Sequence, residues 1–304
     1  MKHDIEGLWP ALAMPFLHDG SVDTARALAQ AQRMLAAGSD GVTLFGTTGE
    51  GLALTMAERK ALLEAMLASG IRADQVIVCT TACAIGEAIE LGRHAIALGC
   101  TRQLFMPPFY FNHPREAGVV ASVTQLVRGI GSDSLKLLLY QFPSLSNVAF
   151  THTTIGELAQ RHPGVVVGVK DSTGDRAHSL ALAQAFPRLA ILVGAELDVA
   201  PVMLAGGAGS VNGLANLAPR LMRRVVDAPA DVAPQDQQLM QGLLGLLSVK
   251  PNMPFVSAYK TALAEQTGDD AWLQVRAPLS PLDNTEAQAV RAAYRALGRS
   301  LESI

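Results

Sequence analysis

The feature that most constrains this chain is an even alternation of short apolar runs with helix-period segments. The runs fall at residues 9–16, 40–45, 75–81, 102–107, 136–140, 165–169, 190–193 and 209–214. Between them lie segments whose apolar residues recur at helical spacing, such as 22–37 and 86–98. Residues 55–69 begin on Thr55 with Glu58 three positions on, a capping-box spacing. Strands that are apolar throughout are buried on both faces, as in parallel sheets covered by helices. Eight such strands predict a closed parallel barrel, an α/β fold of the (β/α)8 or TIM-barrel class. A doubly wound sheet is the runner-up, because it rarely alternates so evenly to eight.

After residue 219 the pattern changes. Residues 221–227 close the last barrel helix, and 235–247, 254–266 and 285–300 look helical with no strand between them. The connector APADVAP, 228–234, is rich in Ala and Pro and marks the change. The chain therefore divides into a barrel over 1–227 that carries the active site and a C-terminal helical extension over 228–304.

With 304 residues and 49% hydrophobic content, the chain can bury a full core. A formal net charge of −3 argues against a nucleic-acid partner. No apolar run approaches the roughly 18 to 20 residues of a membrane span. The N-terminus has acids where an export signal would be basic, so no export signal is expected. The three cysteines, Cys79, Cys83 and Cys100, are too few and too odd in number for a disulfide framework. A cytoplasmic setting is the expectation. No metal site is expected at Cys79 and Cys83, which have no nearby histidine pair, nor among the scattered histidines, taken as surface or capping residues.

The run VVVGVKDSTGD, 165–175, delivers a single lysine, Lys170, at the end of a buried strand. One explanation is a snorkelling or salt-bridged lysine, with Asp171 as a partner. The other is a nucleophile, since an amine in apolar surroundings holds its proton less firmly and can attack a carbonyl to form a Schiff base. In a barrel, active sites are built at the C-terminal ends of the strands. Thr47 and Thr48 follow the second strand, Tyr110 the fourth, Tyr140 ends the fifth and Lys170 the sixth. Ser172, Gly194, Glu196 and Val211 belong to the same mouth. Gly46-Thr47-Thr48-Gly49 is either a plain tight turn or a nest of N–H groups and hydroxyls for a carboxylate. Tyr140 taken alone is equally a half-buried core residue, and Tyr110, between Phe109 and Phe111, belongs to an aromatic cluster of the kind that packs an interface.

GTTGE at 46–50, Tyr110 after Pro108-Phe109, Tyr140-x-x-Pro143, GVKDSTGD at 168–175 and GSVNGLAN at 209–216 follow one another in a specific order and spacing. In these motifs the whole chain resembles the dihydrodipicolinate synthase / N-acetylneuraminate lyase family of Schiff-base, pyruvate-dependent aldolases. The resemblance implies Lys170 as the imine-forming lysine, so that no separate cofactor is needed, and Tyr140 as the proton shuttle. It implies Thr47 and Thr48 at the carboxylate of the pyruvate unit, with Thr48 also in a relay with Tyr140 and Tyr110. The tyrosine matching Tyr110 reaches in from a neighbouring subunit in many members, and a homotetramer, a dimer of dimers, is implied.

Two departures bear on the substrate. Leu145 stands where dihydrodipicolinate synthases carry an arginine for the aspartate-semialdehyde carboxylate, and Gln141 replaces their usual asparagine. Gly194-Ala195-Glu196 keeps only one of the two acids usual in sialic acid lyases. Lys170-Asp171-Ser172 is more similar to 2-keto-3-deoxy sugar acid aldolases. The expectation is cleavage or dehydration of a 2-keto-3-deoxy sugar acid or a related 4-hydroxy-2-oxo acid. The alternatives are dihydrodipicolinate synthase, which makes 4-hydroxy-tetrahydrodipicolinate, and a non-catalytic ligand-binding barrel. The expected partner is a small 2-oxo acid, with neither nucleic acid nor membrane.

Overall fold

The computed structural model describes residues 3–298. Eight parallel strands form one sheet in the order β1-β8-β7-β6-β5-β4-β3-β2. They are β1 (Gly7–Leu8), β2 (Val42–Leu44), β3 (Val76–Cys79), β4 (Arg102–Phe105), β5 (Lys136–Gln141), β6 (Val166–Asp171), β7 (Ala190–Val193) and β8 (Gly209–Ser210). The two ends of this order meet through a parallel bridge between Ala11 and Thr43, so the sheet curls into a (β/α)8 barrel.

The first strand differs from the sequence expectation. Its regular ladder is only Gly7–Leu8, not 9–16. Beyond it the chain still pairs on both sides. Trp9 N–H donates to Ser210 O (2.9 Å), and Leu12 N–H donates to Thr43 O (3.0 Å). Pro10 and Pro15 have no N–H to give, so the ladder cannot stay regular through them. β8 is likewise shorter than the expected 209–214, while β5 runs one residue further, to Gln141, and β6 runs on to Asp171, so that Lys170 lies within its ladder.

Helices α1 (Thr24–Ala36), α2 (Met56–Ala68), α3 (Ile85–Ala97) and α4 (Glu116–Ile130) cover the first strands. A one-turn α5 (Pro143–Ser146), absent from the sequence expectation, follows β5 with its proline in the first turn. Then come α6 (His152–Arg161), α7 (Arg176–Ala185), α8 (Val199–Leu204) and α9 (Pro219–Asp227). The Thr55–Glu58 capping box is present at the start of α2. Alternation along β5 sorts its side chains. Leu137 and Leu139 share a core with Val123 and Leu126 of α4, and Leu138 and Tyr140 share one with Leu192 and Val211.

The extension comprises α10 (Pro234–Gly245), α11 (Phe255–Thr267) and α12 (Asn284–Ala296), with no strand after β8 among the described residues. The helix expected over 285–300, and the extension to 304, run partly outside the described residues. We propose the 227/228 boundary as a change of architecture rather than of core, because Leu214 and Leu217 of the barrel share one apolar cluster with Ala258, Leu263 and Trp272 of the extension.

Candidate active site

Tyr140 and Lys170 are direct partners in the β5–β6 register. Neighbours in register project to the same side of a sheet, so the phenol and the amine belong to one layer of the barrel interior. Both are buried, and the Lys170 Nζ lies 4.0 Å from the centroid of the Tyr140 ring. Among the described residues Lys170 makes no ion pair. Asp171 is not its partner. Strand parity turns Asp171 the other way, where its carboxylate accepts from Ser179 Oγ (2.7 Å), the His178 ring (3.0 Å) and the Thr173 N–H (3.0 Å).

That outer cluster also fixes Gln141, the register partner of Asp171. Gln141 Oε1 accepts from Phe150 N–H (2.6 Å), so its amide nitrogen faces His178 Nε2 at 3.1 Å. The imidazole must then accept at Nε2 and donate from Nδ1 to Asp171. His178 is therefore no plain surface residue. It ties α7 to the ends of β5 and β6, directly behind the Tyr140–Lys170 pair. Sequence reading missed it because nothing in the spacing of the histidines marks one as facing a strand end.

The turn after β2 brings in the threonines. Phe45 takes a left-handed backbone (φ 64) and Gly51 packs against it. A Cβ on Gly51 would lie 1.8 Å from Phe45 O, so only glycine fits. The Gly49 and Gly51 N–H groups are spent on Gly46 O, and the Glu50 N–H on Thr47 O. Among the described residues the N–H groups of Thr47 and Thr48 have no protein acceptor. Two adjacent donors left without a protein acceptor are what an anion nest requires.

The threonine that joins the tyrosine is not the expected one. Thr47 Oγ1 and Tyr140 OH share a hydrogen bond of 2.9 Å, whereas the buried Thr48 side chain has no hydrogen-bond partner among the described residues. Successive residues of the turn point to different sides, and Thr47 is the one that reaches the cavity. The hydrogen bond to the Tyr140 phenol, expected from Thr48, is made by Thr47.

A cavity of about 400 Å³ opens beside the Thr47–Tyr140 pair, with both in its wall; Lys170 lies behind the Tyr140 ring and does not line it. Its far wall comes from the extension, through Phe255, Val256 and the segment 276–279. Two charged groups hold that wall. Lys260 of α11 forms a fully buried ion pair with Glu50 of the turn and also donates to Gln274 O (2.6 Å). Burial pulls the Lys260 ammonium down to about 8, with the Glu50 carboxylate working against it. Arg276 donates its backbone N–H to Glu50 (2.8 Å) and its guanidinium to Gly20 O, Ala53 O and the Glu58 carboxylate. Its hydrogen bond, the largest influence, holds Glu58 at about 2. None of these residues was singled out for this role from sequence, because their partners lie more than 200 positions away along the chain.

The remaining expected site residues divide. Val211 is fully buried in the barrel interior, in the core that contains Tyr140. Gly194 N–H donates to Asp171 O (2.7 Å), and a Cβ there would meet Ser172 Oγ at 2.3 Å. Ser172 itself donates its N–H to Gln141 O (2.9 Å). This pair closes the β6–β7 mouth by packing. Glu196 departs from the expectation. Its carboxylate accepts from Leu214 N–H (3.0 Å) and Tyr259 OH (3.4 Å), in the seam between barrel and extension. Burial pushes that carboxyl up, and it lines no part of the cavity. Tyr110 is 76% exposed, with its ring against Phe111 at 5.2 Å, so within one chain it is not joined to the Thr47–Tyr140 pair. No group of three or more His, Cys, Asp or Glu among the described residues is arranged to hold a metal, and no helix among them is long and apolar enough to cross a membrane.

The chain was compared with known proteins. A family model described as Dihydrodipicolinate synthetase family matches residues 4–297. An uncharacterized DapA-like lyase of Chloroflexus aurantiacus is 35% identical, with 95% of each chain covered. The crystal structure of dihydrodipicolinate synthase from Agrobacterium tumefaciens is 33% identical at a TM-score of 0.89, covering 97% of this chain and 100% of that one. That of YagE, a prophage protein of E. coli K12 of the dihydrodipicolinic acid synthase family in complex with pyruvate, is 26% identical at a TM-score of 0.85, covering 99% and 100%. A family match over nearly the whole length, joined to a barrel of the same shape, has one meaning: the chain belongs to the Dihydrodipicolinate synthetase family and is a pyruvate-dependent lyase.

Proposed function

We propose that the protein is a class I aldolase whose Lys170 forms an imine with the 2-oxo group of a 4-hydroxy-2-oxo acid and breaks its C3–C4 bond. The observation that carries this is the buried Lys170 amine, without an ion-pair partner among the described residues, against the Tyr140 ring, with the Tyr140 phenol bonded to Thr47. The amine attacks the carbonyl carbon, the carbinolamine loses water, and the iminium becomes an electron sink. Loss of the C4 hydroxyl proton then breaks the C3–C4 bond, giving an aldehyde and the enamine of pyruvate. Protonation at C3 and hydrolysis release pyruvate and restore the amine. The Tyr140 phenol is the group placed to give and take the protons, with Thr47 as its hydrogen-bond partner. The free Thr47 and Thr48 N–H groups are the donors for the substrate carboxylate. No cofactor or metal enters this scheme. We assign Tyr110, exposed on one chain, to the site of a second copy in a homotetramer, as the family resemblance implies. The sparse unpaired cysteines support a cytoplasmic setting.

Dihydrodipicolinate synthase is the second reading, favoured by the likeness to the dihydrodipicolinate synthase of Agrobacterium tumefaciens. Leu145 weighs against it, because it puts an apolar side chain at the cavity wall where a semialdehyde carboxylate needs a cation. Of the two substrates the sequence leaves open, a sugar acid and a related 4-hydroxy-2-oxo acid, the cavity favours the second, for the reason argued below. The test is borohydride reduction in the presence of pyruvate, followed by peptide mass spectrometry. A pyruvate-derived adduct on the peptide containing Lys170 is expected, and none in Lys170→Ala. Labelling elsewhere, or nowhere, overturns the assignment.

A further inference from the structure

We propose that the aldehyde half of the substrate is apolar, an aryl or alkyl group rather than a polyol or an acid. This rests on the aldolase reading above and adds the class of compound. The cavity beside Tyr140 is walled by Phe45, Met106, Phe109, Leu145, Phe255 and Leu279. Its size, about 400 Å³, suits a ring or a chain of several carbons attached to the reacting 2-oxo acid.

The polar groups in that wall are the stronger argument, because they are already engaged. Arg276 has five N–H donors on its guanidinium and uses five: Nε to Gly20 O, one terminal nitrogen to Ala53 O and Glu58, the other to Gly20 O and Glu58. It has none left for a substrate carboxylate. Glu50 is taken by Lys260 and the Arg276 N–H. Ser146 Oγ has its one proton between Phe142 O (3.1 Å) and Val148 O (3.0 Å) and accepts from Val148 N–H. Thr81 Oγ1 accepts from Met106 N–H and lies against Cys79 Sγ. Glu196, expected among the substrate-binding residues, faces the Leu214 N–H and Tyr259 instead. Polar side chains at the reacting centre, Thr47 and Tyr140, remain for chemistry. A polyol tail would leave its hydroxyls unpaired against these apolar walls, and a carboxylate tail would lack a counter-charge. An apolar tail gains by leaving water.

In the synthetic direction the step balances without a further reactant. The enamine C3 bonds to the aldehyde carbon, the aldehyde oxygen takes a proton to become the 4-hydroxyl, and water hydrolyses the iminium to free Lys170. The net change is pyruvate plus aldehyde to 4-hydroxy-2-oxo acid.

The experiment measures kcat/KM for addition of pyruvate to benzaldehyde, hexanal, D-erythrose and aspartate semialdehyde, alongside the borohydride trap. Benzaldehyde or hexanal is expected to exceed both polar aldehydes by tenfold or more. Leu279→Ser and Phe255→Ser are expected to shrink that ratio, while the pyruvate imine on Lys170 still forms. An imine that forms with erythrose or the semialdehyde preferred overturns the apolar assignment alone. Failure to trap any imine on Lys170 overturns the aldolase reading on which it rests.

Discussion

The amine of Lys170 stands over the face of the Tyr140 ring, its nitrogen 4.0 Å from the centroid. The backbone enforces this approach, because the two residues are register partners on adjacent strands whose ladders are fixed by hydrogen bonds. The proposed nucleophile and the proposed proton-transfer group are thus held to each other by the stiffest part of the fold, and the turn after β2 adds Thr47 to the phenol.

Tyr140→Phe keeps the ring under the amine and removes the hydroxyl. Loss of a general acid–base group costs on the order of 100- to 10,000-fold in rate. We expect a fall in kcat of that size with pyruvate affinity little changed, read by single-turnover kinetics and pyruvate titration. A mutant within a few-fold of wild type would make Tyr140 a packing residue.

The two threonines should separate in the same assay. Thr47→Val breaks the bond to Tyr140 and is expected to lower kcat by about tenfold or more. Thr48→Val keeps the turn N–H and is expected to change kcat far less. If the Thr48 variant loses more, the relay runs through Thr48 as the family resemblance implies.

Lys260→Met would leave the Glu50 carboxylate buried without its ammonium. Breaking a buried pair from one side costs about 3–5 kcal/mol. A denaturant midpoint shifted accordingly is expected, with the semi-active remainder showing altered aldehyde preference because Glu50 also holds Arg276 and the cavity wall. An unchanged midpoint would mean that the pair is not closed in solution.

Glu58 is held at about 2, against an ordinary 4.5, by the Arg276 hydrogen bond. A depressed carboxyl stabilises the fold above its unfolded value and loses that contribution as pH falls through its folded value. Wild-type Tm should therefore decline from about pH 4.5 towards pH 2 partly through this group. Glu58→Gln should be less stable at pH 7 and flatter across that window. Parallel curves for both proteins would show that the bond to Arg276 contributes nothing.

Glu196→Gln tests the seam. The amide keeps an oxygen for the Leu214 N–H, so kcat and KM are expected within about threefold of wild type, a difference of well under 1 kcal/mol. Burial raises the Glu196 carboxyl, so the folded state binds the extra proton and stability falls as pH rises above 4.5. The glutamine variant should lose that slope. A tenfold rise in KM would return Glu196 to substrate binding.

Strand parity explains what could be read in advance. A lysine closing an apolar run, a tyrosine closing the one before it and a glycine–threonine turn after the second run are local patterns, and barrel topology sends all such ends to one mouth. The even alternation determined the fold class, and the capping box at Thr55 determined a helix start. The first strand was misplaced because Pro10 and Pro15 break the ladder while the chain still pairs around them.

What the sequence by itself determined, then, was the barrel, its helical extension and the identity of Lys170 and Tyr140 as the residues to watch. Only the tertiary structure decided that Asp171 looks away from Lys170, that Thr47 and not Thr48 meets the phenol, and that Glu196 seals a seam. It alone brought Lys260 and Arg276 of the extension onto Glu50 and Glu58 to build the cavity wall. The physical reason is range. Period and strand-end position are set within a few residues, whereas which side of a turn a side chain takes, and which distant charge answers a buried one, are set by the packing of elements hundreds of residues apart.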